Sequence, residues 1–421
     1  MKVAIIGAGS TYTPELMEGL LEEAEVLQLG EVALMDISQD RLSIVGGLAR
    51  RMAGLAGGKV SVTLTQSLEI ALAGASFVVI QIRVGGQQAR HVDEIICKKH
   101  GVLGQETTGA GGFAKAMRTI PVVLRILDAI EDKGDHPVIL NFTNPSGIIT
   151  EALSRLTECY VVGLCNIPLK LQMKAAELVG VSPEEIYLDY LGLNHLSWVT
   201  GVYVSGTDIT QRVLQELAAE RATDGLPPPQ YEREFIGALG AAPTSYLKYY
   251  YLPEEMRNAI AACSRTRAQA VIEIEQELLR VYSDPSLAQK PMKLSQRGGA
   301  YYSKAAVGLI RSIVLDSKDI HIVNTANKGA IEGLLPDSVV EVPAVIRKQQ
   351  AMPLAIGRIG PHMLGLMQHV KAYEQLTIEA AVKCSYDLAL LALATNPLVQ
   401  SSHLARRLLD DFVQAHGLNL T

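Results

Sequence analysis

Charge is sparse in this chain. Only 19% of its 421 residues are Asp, Glu, Lys or Arg, and the formal net charge is −6. No basic run of the density a polyanion demands is present, which argues against a nucleic-acid partner. No apolar run reaches the ~18 residues of a membrane-spanning helix, so no membrane partner is expected. Cysteine is scarce as well: five residues, at 97, 159, 165, 263 and 384, with no CxxC pair. An odd, unpaired set excludes a disulfide framework and points to free thiols in a cytoplasmic setting. Internal repeats and low-complexity tracts are missing too. The first residues break into glycines after four apolar positions, and are expected to form a strand of the fold, not a leader.

Apolar material is plentiful, at 48% of the chain, enough for a large core in two or three domains. In the first half the period of the apolar pattern switches between about 2 and 3.6. Strands are expected at 2–7, 31–37, 60–65, 77–84, 138–143 and 160–165, and helices at 14–27, 41–55, 117–131 and 148–156. This βαβα order predicts an α/β fold with a doubly wound parallel sheet of Rossmann type. After about residue 187 the pattern changes. Residues 187–204 read as extended, 225–229 (GLPPP) as a loop or linker, and 319–325 and 338–345 as strands. The second of these is ended by a polar cluster at 347–350. Long helices are expected at 267–281, 301–315 and 363–394. The expected organisation is a Rossmann domain over 1–187 and an α+β catalytic domain over 188–421. The apolar stretch 388–393 (LALLAL) suits subunit contacts or a domain core equally, and a homodimer or homotetramer is expected.

Gly7, Ala8 and Gly9 follow the first strand and precede a helix, with Ser10 and Thr11 completing the turn. Small residues let the backbone approach a pyrophosphate, and the helix N-terminus supplies free N–H groups and positive potential. Tyr12 stands where G-x-G-x-x-G has its third glycine, so the turn alone is weak evidence. Asp36 strengthens it: it closes the second strand, where a carboxylate binds both ribose hydroxyls and repels a 2′-phosphate. The cofactor expected is NAD. The plain alternative is a tight turn with an ordinary capping aspartate. Arg41 either reaches the adenine end or is a solvated helix-face arginine.

Seven motifs then follow in order: 7–16 (GAGSTYTPEL), 82–94 (IRVGGQQARHVDE), 104–112 (GQETTGAGG), 141–145 (NFTNP), 163–168 (GLCNIP), 192–198 (GLNHLSW) and 244–251 (TSYLKYYY). Together they resemble glycoside hydrolase family 4, the NAD- and metal-dependent glycosidases, from residue 1 to at least 300. The resemblance implies a fold like lactate and malate dehydrogenases and a redox route to glycoside cleavage, outside the usual two-carboxylate scheme. In that route NAD⁺ takes a hydride from C3, a base removes the acidified C2 proton, and the aglycone leaves from C1. Water then adds and C3 is reduced again. An unactivated C–H is too weak an acid for any side chain, and a neighbouring carbonyl polarised by a cation brings it into range.

On spacing alone, a cysteine on a buried strand and a histidine 30 residues later read as packed core. The resemblance implies instead that Cys165 and His195 hold a divalent ion, usually Mn²⁺, with sugar oxygens completing its shell. It implies Tyr246 as the catalytic base, with Tyr249, Tyr250 and Tyr251 as competitors that chemistry does not separate. Arg90, Asn144 and Arg267 match substrate contacts, the last able to grip a sugar phosphate through its forked donors. Arg83 is a weaker candidate near the nicotinamide or the phosphate. Glu106 and Asn141 are expected in supporting or cofactor roles, and 107–112 as a mobile glycine-rich loop over the cofactor. Asn166 matches the position where α-specific members carry an acidic aspartate. An amide cannot donate a proton in that way, so a 6-phospho-β-glucoside is the substrate expected, with an α-glucoside or an unphosphorylated sugar as alternatives. Outside the family, a 2-hydroxy-acid dehydrogenase or a non-catalytic NAD-binding sensor would account for the Gly-turn and Asp36, but neither has reason to keep Cys165, His195 and Tyr246.

Overall fold

The computed structural model describes residues 1–134, 136–219, 230–297 and 302–421. Strands β1 (Lys2–Ile6), β2 (Glu31–Met35), β3 (Ser61–Thr65), β4 (Phe77–Ile80), β5 (Val138–Asn141) and β6 (Val161–Gly163) are all parallel and lie in the order β3-β2-β1-β4-β5-β6. β1 and β4 are almost entirely buried, as strands covered by helices on both faces must be. The order reverses between β1 and β4, the switch point where such sheets bind ligands at their carboxyl ends.

The second half yields two further pieces. β7 (Ile186–Leu193) and β8 (Leu196–Val204) form an antiparallel hairpin, with the short strands β9 (Thr207–Asp208) and β10 (Ala242–Pro243) on β8. β11 (Ile320–Ala326), β12 (Val339–Ile346) and β13 (Ala351–Pro353) run antiparallel beyond β6 and make one nine-stranded sheet with the first six. The late strands thus extend the N-terminal sheet, a pairing that local pattern does not encode.

Strands β1, β2, β4, β5 and β6 stop short of their expected carboxyl ends, while β3 ends at Thr65 as expected. Residues 81–84 leave the β4 ladder: Gln81 Nε2 donates to Thr13 Oγ1 at 2.8 Å, and Ile82 N donates to Thr143 Oγ1 at 3.0 Å. Gln81 N keeps its bond to Ile6 O at 2.9 Å, and at Ile82 a side chain takes the backbone donor as the chain turns outward. A helix at Gly86–Lys99 was not expected, because it opens on Gly85 and Gly86, both at positive φ. The helix expected at 117–131 begins much earlier, at Gly109–Glu131, and its first turn is buried. The segment 109–112 is therefore a packed helix start and not a mobile loop. The stretch expected as one helix over 363–394 is two, Pro361–Lys383 and Tyr386–Thr395, broken by Cys384 at φ 52° and recapped by Ser385. In the second, Ala389, Ala392 and Leu393 are core, while Leu391 is half exposed. The expected linker at 225–229 lies outside the described residues, as does residue 301, the start of the helix expected over 301–315; the helix described is Tyr302–Leu315. No helix among the described residues is long and apolar enough to cross a membrane.

Candidate functional site

The turn after β1 is built for close approach. Gly7 sits at φ +89°, and a Cβ there would meet the Gln81 carbonyl oxygen at 2.9 Å, so only glycine fits. Gly9 N donates to Asp36 Oδ2 at 2.7 Å, and Ser38 N donates to Asp36 Oδ1 at 2.9 Å. Each carboxylate oxygen keeps further acceptor capacity for ribose hydroxyls. The helix Thr13–Glu22 starts directly after Ser10, Thr11 and Tyr12. The Thr11 hydroxyl is fully buried and has no hydrogen-bond partner. A tight glycine turn, a helix N-terminus and an acid at the end of β2 fit the pyrophosphate and ribose of a dinucleotide. Arg41 is half-buried and engaged: its Nε donates to Gly9 O at 2.9 Å and its Nη2 pairs with Glu275 at 3.2 Å. It braces the turn from outside.

Cys165 lies two residues beyond β6, at the same carboxyl edge of the sheet. His195 closes the two-residue turn between β7 and β8, at φ +64°. The fold brings Cys165 Sγ and His195 Nε2 to 3.6 Å, both buried. Two ligands of one ion have this separation when bonds to it are roughly 2.0–2.3 Å. Burial holds the Cys165 thiol well above its ordinary pKa and pushes His195 down to about 3. The imidazole is therefore neutral, the form a metal requires, and the thiol must shed a proton on binding. Among the described residues no group of three or more His, Cys, Asp or Glu is placed to hold a metal. An ion on this pair would draw its other ligands from water or substrate. Tyr246 stacks face to face on His195, with centroids 3.7 Å apart and planes at 5°.

Behind this trio sits a buried charge cluster. Glu106 pairs with Arg83, with Lys115 at 3.0 Å and with Arg90 at 3.5 Å, while Arg90 also holds Glu94 at 2.7 Å. Burial opposes the Glu106 charge, yet the three cations hold its carboxyl well below the usual range. Arg90 also feels the Tyr246 oxygen. Burial and the neighbouring Arg83 push Lys115 down to about 7. The sign follows: above about pH 7 the folded chain releases a proton that the unfolded chain keeps up to its ordinary value near 10.5. The stability of the wild type relative to Lys115→Met is expected to rise with pH between about 7 and about 10. Urea unfolding of both proteins across that range checks it, and a flat difference would refute it.

Arg90 lines a cavity of about 480 Å³ together with His91, Lys98, Tyr249, Arg265 and Arg267. Arg267 is the first residue of the helix Arg267–Tyr282, so guanidinium groups and a helix N-terminus face the same space, a setting suited to a phosphate. Cys165 opens on the other side into a groove of about 710 Å³. Asn166 is buried and caps no helix N–H with its side chain, although it precedes the helix Ile167–Val179. Asn144 is half-buried after β5, beside Thr143. Asn141 is wholly buried and spends its amide on Thr143, Ser146 and Thr150 around the β5 exit. Sequence reasoning passed over Lys115, Gln105 and Glu341. Glu341 on β12 accepts from Tyr190 at 2.7 Å and from Asn194 and Asn324 at 3.0 Å each, beneath the Cys165 thiol. A lone acid in the apolar run SVVEVPAV, and a lone lysine in GFAKAM, were the available signals.

Residues 2–181 match the family model "Family 4 glycosyl hydrolase", and 190–399 match "Family 4 glycosyl hydrolase C-terminal domain". A probable 6-phospho-beta-glucosidase of Bacillus subtilis is 41% identical, over 99% of this chain and 96% of its own. The 6-phospho-beta glucosidase of Thermotoga maritima, solved with manganese, NAD⁺ and glucose-6-phosphate, superposes with a TM-score of 0.91 at 36% identity, covering 100% of this chain and 99% of its own. A phospho-alpha-glucosidase of Clostridium acetobutylicum is more distant, at 29% identity over 98% of this chain and 97% of its own. A metagenomic lactate dehydrogenase shares the fold, with a TM-score of 0.57 at 14% identity over 90% of this chain and 98% of its own.

Proposed function

The chain belongs to glycosyl hydrolase family 4, and from there we propose that it hydrolyses 6-phospho-β-glucosides with the help of NAD and a divalent ion such as Mn²⁺. The observation that carries this reading is the buried Cys165–His195 pair with Tyr246 stacked on it, at the same sheet edge as the Gly7–Asp36 cradle. When bound, the dinucleotide takes a hydride from C3 of the sugar and later returns it, while the ion polarises the C3 oxygen.

The remaining steps fall to the chain's own side chains. Tyr246 removes the C2 proton. The electron pair of that C–H bond forms a C1–C2 double bond, and the aglycone leaves C1 with its bonding pair. Water then adds its hydroxyl to C1, and C2 regains a proton. Arg90, fixed by Glu94 and Glu106, keeps positive charge beside the Tyr246 oxygen. Arg267 and the cavity it shares with Arg90 suit the 6-phosphate, and Asn144 and Asn166 suit the sugar hydroxyls. Asn166, an amide where an acid would serve an α-linked leaving group, favours the β-anomer. The division into an NAD-binding part over 1–187 and a substrate part over 188–421 suits this assignment of roles. The setting proposed is cytoplasmic, where phosphorylated sugars are met by free thiols, and the assembly a homodimer or homotetramer.

The test is p-nitrophenyl β-glucoside 6-phosphate offered with NAD⁺ and Mn²⁺, beside its α-anomer. Nitrophenol release from the β-anomer, without net NADH and lost on adding EDTA, is expected. Stoichiometric NADH accumulation would instead assign a dehydrogenase, and preference for the α-anomer would remove the argument from Asn166.

A further inference from the structure

Gln105, Thr107 and His195 form a hydrogen-bonded chain whose proton count has one solution. Thr107 N lies 2.6 Å from Gln105 Oε1. A backbone N–H can only donate, so the atom facing it is the amide oxygen, not the amide nitrogen. Thr107 Oγ1 lies 2.5 Å from that same oxygen. Two oxygens at that distance must share a proton, and only the hydroxyl has one. The threonine proton is thereby committed to Gln105. His195 Nδ1 is 2.5 Å from Thr107 Oγ1, and the hydroxyl can meet it only as acceptor. The proton therefore sits on Nδ1, and Nε2 presents a bare lone pair on the side of Cys165 Sγ, 3.6 Å away.

The fold holds this chain in place by local means. The segment bearing Gln105 and Thr107 lies against the first turn of the helix Gly109–Glu131. A Cβ at Gly111 would meet the Gln105 carbonyl oxygen at 2.6 Å, and one at Gly112 would meet the Thr107 carbonyl carbon at 2.6 Å. The glycines that looked like a mobile loop are thus what lets the segment seat. On its other face the imidazole is held by the Tyr246 ring, so its plane and its tautomer are fixed independently.

We infer that Thr107 and Gln105 are positioning residues that lock His195 in the Nδ1–H tautomer and so prepare Nε2 as a ligand. The inference deepens the metal reading above and rests on it for its consequence, though the tautomer itself does not. A free imidazole in water samples both tautomers, and orienting partners of this kind typically change metal affinity about 10–100-fold when removed.

The experiment uses the full chain labelled with ¹⁵N-histidine, with the His195 signals identified by their loss in His195→Asn. The metal-free wild type is expected to show a protonated Nδ1 and an unprotonated Nε2. Thr107→Val keeps the shape and removes the acceptor. It is expected to shift His195 toward Nε2–H and to weaken Mn²⁺ binding, followed by EPR, by about 10–100-fold, with NAD⁺ affinity unchanged. Thr107→Ser restores both. A wild-type His195 protonated at Nε2 overturns the inference, whether or not the valine variant folds. So does a valine variant with wild-type tautomer and Mn²⁺ affinity. A wild type with the expected tautomer that binds no Mn²⁺ would sink the metal reading and leave the hydrogen-bonded chain standing.

Discussion

Cys165→Ser is expected to lower turnover by at least about 10³-fold, because an ion that polarises the reacting oxygen contributes several kcal/mol to such a step. Serine nearly matches cysteine in shape, so the buried strand end should tolerate it. It differs in the property that matters: its hydroxyl does not ionise near neutral pH, and a neutral oxygen is a weak ligand where a thiolate is a strong one. Burial already holds the Cys165 thiol protonated in the metal-free chain, so binding an ion must expel that proton. Mn²⁺ affinity of the wild type should then rise by up to about tenfold per pH unit through the neutral range, and the serine variant should lose this slope. NAD⁺ affinity should be unchanged, because the Gly7–Gly9 turn after β1 lies three strands from β6 and Asp36 after β2 lies four, roughly 14 and 19 Å at the usual strand spacing. Mn²⁺ binding by EPR, NAD⁺ binding by fluorescence and nitrophenol release measured together decide the matter. A serine variant with undiminished, EDTA-sensitive turnover would remove Cys165 from the site.

The first half of the fold was legible because its signals are local. β1, β2 and the helix expected at 41–55 follow from apolar period, and the structure starts that helix at Gln39, capped by Ser38, whose hydroxyl accepts from Arg41 N. The placement of β11 to β13 beyond β6 was not legible, since which edge a strand joins depends on partners more than a hundred residues away. Glycines misled in two places. At Gly86 and at 109–112 they suggest loop by propensity, yet both segments open helices: Gly86 is exposed at positive φ, while glycine at 109–112 allows close approach in a buried helix start. At the site, Cys165, His195 and Tyr246 stood out through motif and not through spacing. Lys115, Gln105 and Glu341 acquire meaning only when the sheet edge, the hairpin and the helix Gly109–Glu131 converge, so the short windows that contain them did not reveal their roles.

Tyr246→Phe is expected to lower kcat by about 10²–10⁴-fold, the usual worth of a positioned acid–base group. The phenylalanine ring keeps the stack on His195, so Mn²⁺ and NAD⁺ affinities should hold and KM should move little. The sequence left three neighbouring tyrosines in competition, and the structure separates them by surroundings. Tyr249 is buried beside Tyr246, with ring centroids 6.2 Å apart. Tyr250 is partly buried, and desolvation together with the nearby Glu374 drives its phenol up. The Tyr251 hydroxyl accepts from Trp198 Nε1 at 3.2 Å. Tyr246 itself stacks face to face on His195. The decisive readout is the fate of the C2 hydrogen. In heavy water the wild type should release glucose 6-phosphate carrying deuterium at C2, since the proton taken by the base is exchanged before one is returned. Deuterium placed at C2 of the substrate should also slow turnover. Tyr246→Phe should lose the exchange in step with kcat, while Tyr249→Phe keeps both. Undiminished exchange in Tyr246→Phe would transfer the base to another group. Product without solvent hydrogen at C2 in the wild type would exclude elimination altogether and leave direct displacement at C1.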